Sequence, residues 1–413
     1  MKKVVVINCG SSSIKYEVFD MEGLVMLASG LIEKIGSADS RLRQKKRMVD
    51  GSYEVQSHTK PLPDHRAGFE FMTEVNQNDR IIRDESELFG IGHRVVHGGE
   101  VFREPTLVDD EVIAAIRKLI PLAPLHNPAN LFGIEAVLER YPLVPQVAVF
   151  DTAFHHSLPQ LAYRYAVPDE LYEKYQVRKY GFHGSSHSYV SKEAARHIGK
   201  PLAELNIITL HLGNGASAAA VQGGRSIDTS MGMTPLEGLV MGTRCGDIDP
   251  SLPFYVMQQT GMSPVDAENL LNRKSGLKGI CGVSDMREIQ ELAAKGNERA
   301  QLAIEIFCYR IKKYIGSYHA VLGRLDAIVF TGGIGENASA IRQRACQGLE
   351  HLGISVDCTR NEAAGGEVSE IQDRNSPVRV LVIRTNEERE IAEQTMAAIH
   401  KARGTKGATS STR

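Results

Sequence analysis

Three glycine-rich segments of the sequence each place small polar residues directly after a buried apolar run. They read NCGSSSIK after residues 4–7, HLGNG after residues 207–210 and TGGIGEN after residues 327–330. Clustered backbone N–H groups, hydroxyls and amides suit the oxygens of a phosphate, and Lys15 adds a nearby positive charge to the first segment. A tight hairpin tip needs the same residue types for its backbone geometry, so one segment alone is equally consistent with a plain turn. The three together favour a phosphate site.

Two arginines lie in polar, glycine-containing segments and not on an amphipathic face. Arg94 stands in GHRVVHGG and Arg244 in MGTRCGD. A guanidinium is a permanently charged fork that matches a carboxylate or the equatorial oxygens of a transferring phosphoryl group. Structural arginines in loops are common, so the spacing by itself leaves both interpretations open.

Two carboxylates stand at the ends of predicted elements, and one of them at a position where ligands gather in α/β proteins. Asp151 follows the apolar run 147–150 and is expected at the carboxyl end of a strand, although it could instead cap the turn through Thr152. Glu387 follows Asn386, and this pair is typical of a helix start, which does not exclude a further role for the carboxylate.

The segment GFHGSSH carries His183 and His187, four residues apart. Such a pair forms a zinc site only if both residues lie on a helix and a third ligand exists, and Gly181 and Gly184 argue against a helix there. The six cysteines show no paired spacing, which favours reduced thiols. Cys9, within the first glycine-rich segment, is interpreted as a buried thiol that fills space.

The predicted strands and helices that must position these residues alternate along the chain, which indicates an α/β fold. Residues 4–18 predict a hairpin with a polar tip, and residues 206–224 repeat it about two hundred residues later. Apolar residues at helical spacing predict helices that begin near Asp109 and Asn127 and another over residues 304–318. Residues 36–65, which contain the basic run RLRQKKR, predict a solvated surface hairpin better than a nucleic-acid patch.

The length and the net charge of the chain limit the classes of protein to which it can belong. A chain of 413 residues exceeds one compact core, so two domains are expected. With 48 basic against 50 acidic residues the net charge is −2, which gives no global attraction to nucleic acid or an anionic membrane. No apolar run approaches a membrane span and the amino terminus has no signal-peptide pattern, so we expect a cytoplasmic protein. Residues 404–413 are expected to form a disordered tail.

A recognisable series of motifs runs in order from Asn8 to Glu388: NCGSSSIKY, GHRVVHGGE, LAPLHNPAN, VFDTAFH, YGFHGSSH, HLGNGAS, MTPLEGLVMGTRCGDIDP, FTGGIGENA and TNEE. The series closely resembles the acetate kinase family over nearly the whole chain. That resemblance implies two duplicated actin-like (ribonuclease H-like) βββαβαβα domains flanking an ATP cleft. They would be an N-terminal domain, 1–150 joined by 386–403, and a nucleotide-binding domain, 151–385.

The resemblance also implies residue roles. The catalytic residues would be Asp151, His183, Arg244 and Arg94. Arg94 would also bind the substrate carboxylate, with a substrate pocket formed by Val96, Leu125, His126, Phe182 and Pro235. Mg²⁺, for which Mn²⁺ could substitute, would lie near Asn8 and Glu387.

ATP or ADP would be held by further residues that the resemblance implies. Those of the first phosphate loop are Ser11, Ser13 and Lys15. The second loop would contribute His211, Leu212, Gly213, Asn214 and Gly215. The adenosine would lie near Asp285, Met286, Arg287, Gly333, Ile334, Gly335, Glu336 and Asn337.

The implied reaction is reversible, Mg-dependent transfer of the ATP γ-phosphoryl to acetate by direct in-line displacement, giving acetyl phosphate and ADP in a homodimeric enzyme. A propionate kinase of the same family is the nearest alternative, since one methylene is worth only about 0.8 kcal/mol of burial. The β-branched Val96 favours the smaller acid. A nucleotide-driven filament or chaperone is a more distant alternative, because actin and Hsp70 share the fold.

Overall fold

The structure is a computed structural model that describes residues 2–409, with side chains through residue 404. Two compact units divide the chain. The first runs to Ala153 and resumes at Asn386, and the second comprises Phe154–Thr385. No helix within the described residues is both long and apolar enough to cross a membrane.

The first unit is built on an eight-stranded sheet with the order β5-β4-β3-β2-β1-β6-β8-β7. Its strands are β1 (Lys3–Cys9), β2 (Ser13–Asp20), β3 (Val25–Glu33), β4 (Arg41–Arg47), β5 (Tyr53–Thr59), β6 (Leu88–Val95), β7 (Thr106–Leu107) and β8 (Gln146–Phe150). Its first three helices are α1 (His65–Asn78), α2 (Asp110–Lys118) and α3 (Asn127–Arg140). Strands β4 and β5 pair antiparallel at the edge of the sheet, which confirms the hairpin predicted within residues 36–65.

The second unit carries a six-stranded sheet with the order β11-β10-β9-β12-β14-β13. Its strands are β9 (Asn206–Leu212), β10 (Ala216–Gln222), β11 (Arg225–Thr229), β12 (Ala327–Thr331), β13 (Val368–Glu370) and β14 (Arg379–Ile383). Its helices are α4 (Gln160–Tyr163), α5 (Asp169–Tyr175), α6 (Gly184–Ile198), α7 (Leu252–Thr260), α8 (Pro264–Arg273), α9 (Gly276–Cys281), α10 (Met286–Ala294), α11 (Glu298–Leu322), α12 (Gly332–Asn337), α13 (Ser339–Cys346) and α14 (Cys358–Glu362).

Both sheets contain the same arrangement of strands. The series β3-β2-β1-β6-β8 in the first unit corresponds to β11-β10-β9-β12-β14 in the second. In each series the first two neighbouring pairs are antiparallel and the last two are parallel. The repeated topology confirms the predicted α/β fold with duplicated actin-like units.

Local sequence explains how the elements of the first unit begin and end. Residues 4–7 of β1 form an unbroken apolar run, as suits a strand covered on both faces, and Val4 and Ile7, on opposite faces, are both buried. The Asp109 carboxylate accepts a hydrogen bond of 2.8 Å from Val112 N and so starts α2 as predicted. Because β1, β6 and β8 are parallel, their carboxyl ends reach the same edge of the sheet. Asn8, Arg94 and Asp151 lie at or just beyond those ends.

A last helix, α15 (Glu387–Thr409), returns the chain to the first unit. The Asn386 side chain accepts a hydrogen bond of 2.9 Å from Arg389 N, so the helix-start interpretation of this segment is correct. The backbone is helical through residue 409. The disordered tail expected over residues 404–413 stays a prediction. Residues 410–413 lie outside the described part of the chain.

Candidate active site

Arg94 and Asp151 form a buried, forked ion pair in the first unit. Arg94 lies on β6 and Asp151 directly follows β8, its parallel neighbour. Arg94 Nε donates to both carboxylate oxygens at 3.0 and 3.1 Å, and Nη2 donates to Oδ2 at 2.8 Å. The Asp151 side chain is only 2% exposed. This geometry fixes the orientation of the guanidinium plane.

Glu387, the first residue of α15, brings a second carboxylate to the same arginine. Its Oε2 lies 3.6 Å from Arg94 Nη2, and this oxygen is buried without a hydrogen-bond partner in the described structure. Burial raises the pKa of Glu387 and of Asp151, while Arg94 opposes the rise at both. Burial by itself would lower the pKa of Arg94, but the two carboxylates raise it, so the guanidinium stays charged.

Small residues on β6 allow α15 to approach the sheet closely enough to deliver Glu387. A Cβ atom on Gly92 would lie 2.3 Å from Thr395 Oγ1 and 3.0 Å from a methyl carbon of Ile391. A Cβ on Gly90 would lie 2.2 Å from a methyl carbon of Ile399. The glycines of the GIGHR segment therefore set the distance between the helix and the strand.

Gly92→Ala should lower the free energy of unfolding by about 1–3 kcal/mol, because the added methyl group overpacks the interface between α15 and β6. Urea unfolding followed by circular dichroism measures the change. Gly316→Ala is the matched control, since Gly316 lies in α11 with no atom within 4 Å of its added Cβ. It should leave stability unchanged or raise it by about 0.5–1 kcal/mol. Equal effects at both positions would contradict the close-approach argument.

The first glycine-rich segment forms the tight turn between β1 and β2. Gly10 N donates to Ser13 O at 2.8 Å, and Ser11 is exposed at the tip. Lys15 lies on β2 opposite Asn8 and forms an ion pair with Glu388. Burial would lower the pKa of Lys15, but Glu388 raises it. The sequence did not indicate this carboxylate partner for Lys15.

Asn130 of α3 connects the ends of β1 and β6, and sequence analysis missed it. Its Nδ2 donates to Cys9 O at 2.8 Å, and its Oδ1 accepts from Val96 N at 3.1 Å. An asparagine in the helical pattern of NPANLFG was the only signal.

Two predicted substrate residues lie just before α3. Leu125 is 53% exposed, and His126 directly precedes the helix. The charge of His126 also lowers the pKa of Asp151.

The cysteine beside this turn behaves as a buried thiol. Cys9 is 3% exposed, and burial raises the pKa of its thiol to about 12. A thiol in that state is a poor nucleophile, as predicted. Burial also raises the pKa of Cys245, next to Arg244.

In the second unit, two histidine rings stack at the start of α6. The ring centroids of His183 and His211 are 4.4 Å apart. His183 Nδ1 is 2.8 Å from Ser217 Oγ, and His211 Nδ1 is 2.8 Å from Ser186 Oγ. His183 adopts a left-handed backbone with φ of 57°, which turns the chain into the helix.

His187 corrects one sequence expectation, because it lies on α6. The helix begins at Gly184, so the two glycines of the motif flank the turn that starts the helix and do not prevent one. His187 is fully buried between Thr209 Oγ1 at 2.7 Å and Ser217 Oγ at 2.8 Å. Burial lowers its pKa well below the usual value, so the ring is neutral. No cluster of three His, Cys, Asp or Glu residues suited to a metal occurs among the described residues.

Arg244 is a partly buried cation, and among the described residues it forms no ion pair. Its Nη1 lies 3.4 Å from Pro235 O and 3.7 Å from Met241 Sδ. Burial lowers its pKa. A Cβ atom on Gly215 would lie 3.5 Å from both Arg244 Nη1 and His183 Nε2. The arginine, the histidine and the second glycine-rich loop therefore meet at one point.

A cavity of about 720 Å³ adjoins this loop in the second unit. Three segments that were predicted to contact the nucleotide line it: the second glycine-rich loop, the GGIGEN turn and the start of α10. The lining residues are Gly213, Asn214, Ser284, Asp285, Met286, Arg287, Gln290, Gly333, Ile334, Asn337 and Ala338. Sequence analysis missed Ser284, Gln290 and Ala338, which lie beside predicted residues.

Some predicted nucleotide or substrate residues do not line this cavity. Glu336 points into the protein, where its Oε1 accepts hydrogen bonds from Gly332 N at 3.0 Å and Thr385 N at 3.1 Å. Gly335 and Leu212 are buried behind the turn. Phe182 is 2% exposed, and its carbonyl lies 3.0 Å from His155 Nε2.

Comparison with known proteins gives a consistent result over nearly the full length. The model of the Acetokinase family matches residues 3–393. An acetate kinase from Syntrophobacter fumaroxidans is 58% identical over 97% of this chain and 98% of its own. A crystal structure of Porphyromonas gingivalis acetate kinase superposes with a TM-score of 0.90 at 44% identity, covering 97% of this chain and 100% of the other.

A propionate kinase from Francisella tularensis is structurally similar as well. Its crystal structure gives a TM-score of 0.89 at 43% identity, covering 96% of this chain and 100% of the other. The match of the family model over residues 3–393 is decisive: the chain belongs to the acetokinase family.

Proposed function

We propose that this protein catalyses the reversible transfer of the γ-phosphoryl group of ATP to acetate, giving acetyl phosphate and ADP. The observation that carries the proposal is the Arg244 guanidinium, which has no ion pair among the described residues and lies close to His183 and a glycine-rich loop beside a cavity of about 720 Å³. Membership of the acetokinase family supplies the carboxylate acceptor and the ATP or ADP co-substrate. Acetate is favoured because relatives up to 58% identical are acetate kinases.

In the second unit, ATP would occupy the cavity with its base near Met286 and Gly333 and its phosphates on the loop at Asn214 and Gly215. Arg244 would then donate to the equatorial oxygens of the phosphoryl group in transfer, where negative charge is spread. The contact between His183 Nδ1 and Ser217 Oγ fixes the ring, so that Nε2 faces Gly215. Nε2–H would provide a second donor.

In the first unit, Arg94 would bind the carboxylate of the acid. Its Nε and Nη2 are occupied by Asp151, which leaves donors on the far side of the guanidinium for substrate. Asp151 would act by holding this orientation and not as a general base. Acetate is already ionised at neutral pH, because its acidity is close to that of a glutamate side chain, so no proton has to be removed.

Asn8 and Glu387 would hold Mg²⁺, or Mn²⁺ in its place. The fit rests on chemistry: both side chains offer oxygen, and Glu387 Oε2 is a buried carboxylate atom without a hydrogen bond in the described structure. When bound there, the ion would neutralise part of the phosphate charge.

A hydroxylamine trap for acyl phosphates tests the proposed reaction. The protein is incubated with Mg-ATP and acetate, propionate or butyrate, and acyl hydroxamate and ADP are measured together. We expect hydroxamate and ADP in equal amounts, with acetate the best acceptor. ADP release that ignores added acid would contradict the proposal and favour a nucleotide-driven filament or chaperone.

Propionate kinase activity is the second candidate, favoured by the structural match to the Francisella tularensis protein. The proposed pocket wall Val96 tests it. Val96→Ala should raise the ratio of kcat/KM for propionate to that for acetate by about four-fold, because the removed bulk makes room for roughly one methylene, worth about 0.8 kcal/mol. Leu143→Ala is a control, since Leu143 is exposed and lies outside the proposed site. An unchanged ratio would show that Val96 does not contact the acid.

The assembly and location that we propose are a cytoplasmic homodimer. The family resemblance supports the dimer, and sedimentation velocity of the full chain tests it. The proposed partners are acetate or acetyl phosphate and ATP or ADP, with neither nucleic acid nor membrane. The net charge of −2 supports the last point.

A further inference from the structure

The loop that carries Arg244 is closed at its base by a network of side chains outside the proposed catalytic set. We call residues 238–247 the arginine loop. At its base Gly238 N donates to Asp247 Oδ1 at 2.8 Å, and Asp247 N donates back to Gly238 O at 2.9 Å. Gly238 and Gly246 both have positive φ angles, of 106° and 68°. A Cβ on Gly246 would lie 2.5 Å from Gly238 O, so the base is also tightly packed.

Arg310 of α11 donates hydrogen bonds to both chain segments that form this base. Its Nη1 donates to Gly238 O at 3.0 Å and its Nη2 donates to Asp247 O at 3.1 Å. Its Nη1 also lies 3.2 Å from Asp247 Oδ2. A guanidinium has the planar fork that two neighbouring carbonyls and a carboxylate require, whereas a lysine can satisfy them only as a point charge.

Tyr314, one helical turn after Arg310 on α11, completes the network. Its hydroxyl donates to Asp247 Oδ2 at 2.9 Å. Every oxygen of the Asp247 carboxylate is therefore engaged by Gly238, Arg310 or Tyr314. This carboxylate stands three residues after Arg244 in sequence, yet Arg244 has no ion pair in the described structure.

The opposite end of the arginine loop contacts the proposed phosphate loop. Gly242 N donates to Asn214 O at 2.9 Å, and a Cβ on Gly242 would lie 1.9 Å from Asn214 Oδ1. Within the loop, Met241 N donates to Arg244 O at 3.1 Å. The position of the Arg244 backbone is thus set from one side by Asn214 and from the other by the base of the loop. Helices α8 and α9 add backbone hydrogen bonds to the middle of the loop, from Cys245 N to Leu271 O at 3.1 Å and from Leu277 N to Met241 O at 2.9 Å.

We propose that Arg310, supported by Tyr314 and Asp247, is a positioning residue for phosphoryl transfer: it holds the arginine loop in place and keeps the Asp247 carboxylate from neutralising Arg244. It touches neither ATP nor acid. This inference rests on the proposed function. It assigns a role in catalysis to Arg310, which contacts the arginine loop and not the substrate.

Arg310→Lys should lower kcat by about 10- to 100-fold, because a displacement of about 1 Å at a catalytic group costs up to that factor. KM for ATP and for acetate should change by less than three-fold, since the nucleotide cavity and Arg94 are not part of the network. Tyr314→Phe should lower kcat by about two- to five-fold, because it removes one hydrogen bond from a carboxylate that Gly238 and Arg310 still hold. Arg324→Lys is the matched control, since Arg324 also holds a carbonyl and a carboxylate, Glu204 O at 2.8 Å and Asp326 at 3.0 Å.

The decisive test is a double-mutant cycle between Arg310→Lys and Arg244→Ala. If Arg310 acts through Arg244, the double variant should have the same kcat as Arg244→Ala alone. Losses that multiply would overturn the inference, because they would show that Arg310 supports activity by another route. A wild-type kcat in Arg244→Ala would overturn it too. If Arg310→Lys does not fold, as judged by circular dichroism, Tyr314→Phe takes its place in the cycle under the same criteria.

The two levels of proposal fail in different ways. If the wild-type protein forms no acyl hydroxamate with any of the three acids, the proposed reaction is wrong. If wild type is active and the cycle is multiplicative, the reaction stands and only the role of Arg310 falls.

Discussion

Replacing Arg244 with alanine should lower kcat by about a thousand-fold while leaving KM for ATP within a few-fold of wild type. The expected size follows from removing a charged donor that serves the phosphoryl group mainly in the transition state. Arg244 is suited to this role because it is partly buried and has no ion pair in the described structure, so its charge remains available for phosphate oxygens. Initial rates at saturating acetate and varied ATP separate kcat from KM.

Two control variants define what the loss at Arg244 means. Arg244→Lys keeps the charge but loses the planar fork, so its kcat should lie between those of wild type and the alanine variant. Arg299→Ala removes an exposed arginine from α11 and should leave both constants unchanged. A large rise in KM for ATP with an unchanged kcat would assign Arg244 to ground-state binding and would contradict the proposed role.

The fold was predictable from sequence because its signals are local and repeated. An apolar run, a glycine-rich turn and a returning strand occur near residue 10 and again near residue 213, and the structure places them at equivalent positions in the two sheets. The start of α2 at Asp109 and the helix start at Asn386 were predictable for the same reason, since a capping side chain acts on a backbone N–H three residues away.

The helix at His187 was not predictable in this way. Glycine is a poor helix former in the interior, so Gly184 indicated a break. Instead, His183 adopts a left-handed conformation and Gly184 is the first residue of α6, where glycine costs little. Tertiary contacts stabilise the helix at this position, because the His187 side chain is held by Thr209 and Ser217 from two strands.

Polar partners that are far apart along the chain could not be predicted from the sequence. Lys15 and Glu388 are 373 residues apart, and Arg310 lies more than sixty residues from the two ends of the loop that it grips. Neither partner has a distinctive motif, because an arginine or glutamate on a helix usually belongs to a solvated face. Sequence analysis therefore identified side chains expected to touch substrate and missed those that hold them in position.

Arg94→Ala should raise KM for acetate by about 10- to 100-fold and KM for ATP far less, because hydrogen bonds to charged groups contribute about 1.5–3 kcal/mol. The same change should alter stability in a pH-dependent way. Arg94 now opposes the burial that raises the pKa of Asp151 and of Glu387, so its removal lets both pKa values rise further. Arg94→Lys is the matched variant, since it keeps the charge but loses the fork.

The sign of the pH effect follows from proton binding. In Arg94→Ala the two buried carboxyl groups bind protons more readily in the folded protein than in the unfolded chain, where their pKa values are about 4. Stability of the variant should therefore fall relative to wild type as pH rises from about 5 to 8, which thermal unfolding across that range measures. Arg94→Lys should show a smaller dependence, and adding Asp151→Asn to Arg94→Ala should remove part of it. A melting-temperature deficit that is constant with pH, or equal rises in KM for both substrates, would mean that Arg94 neither balances these carboxylates nor binds the acid.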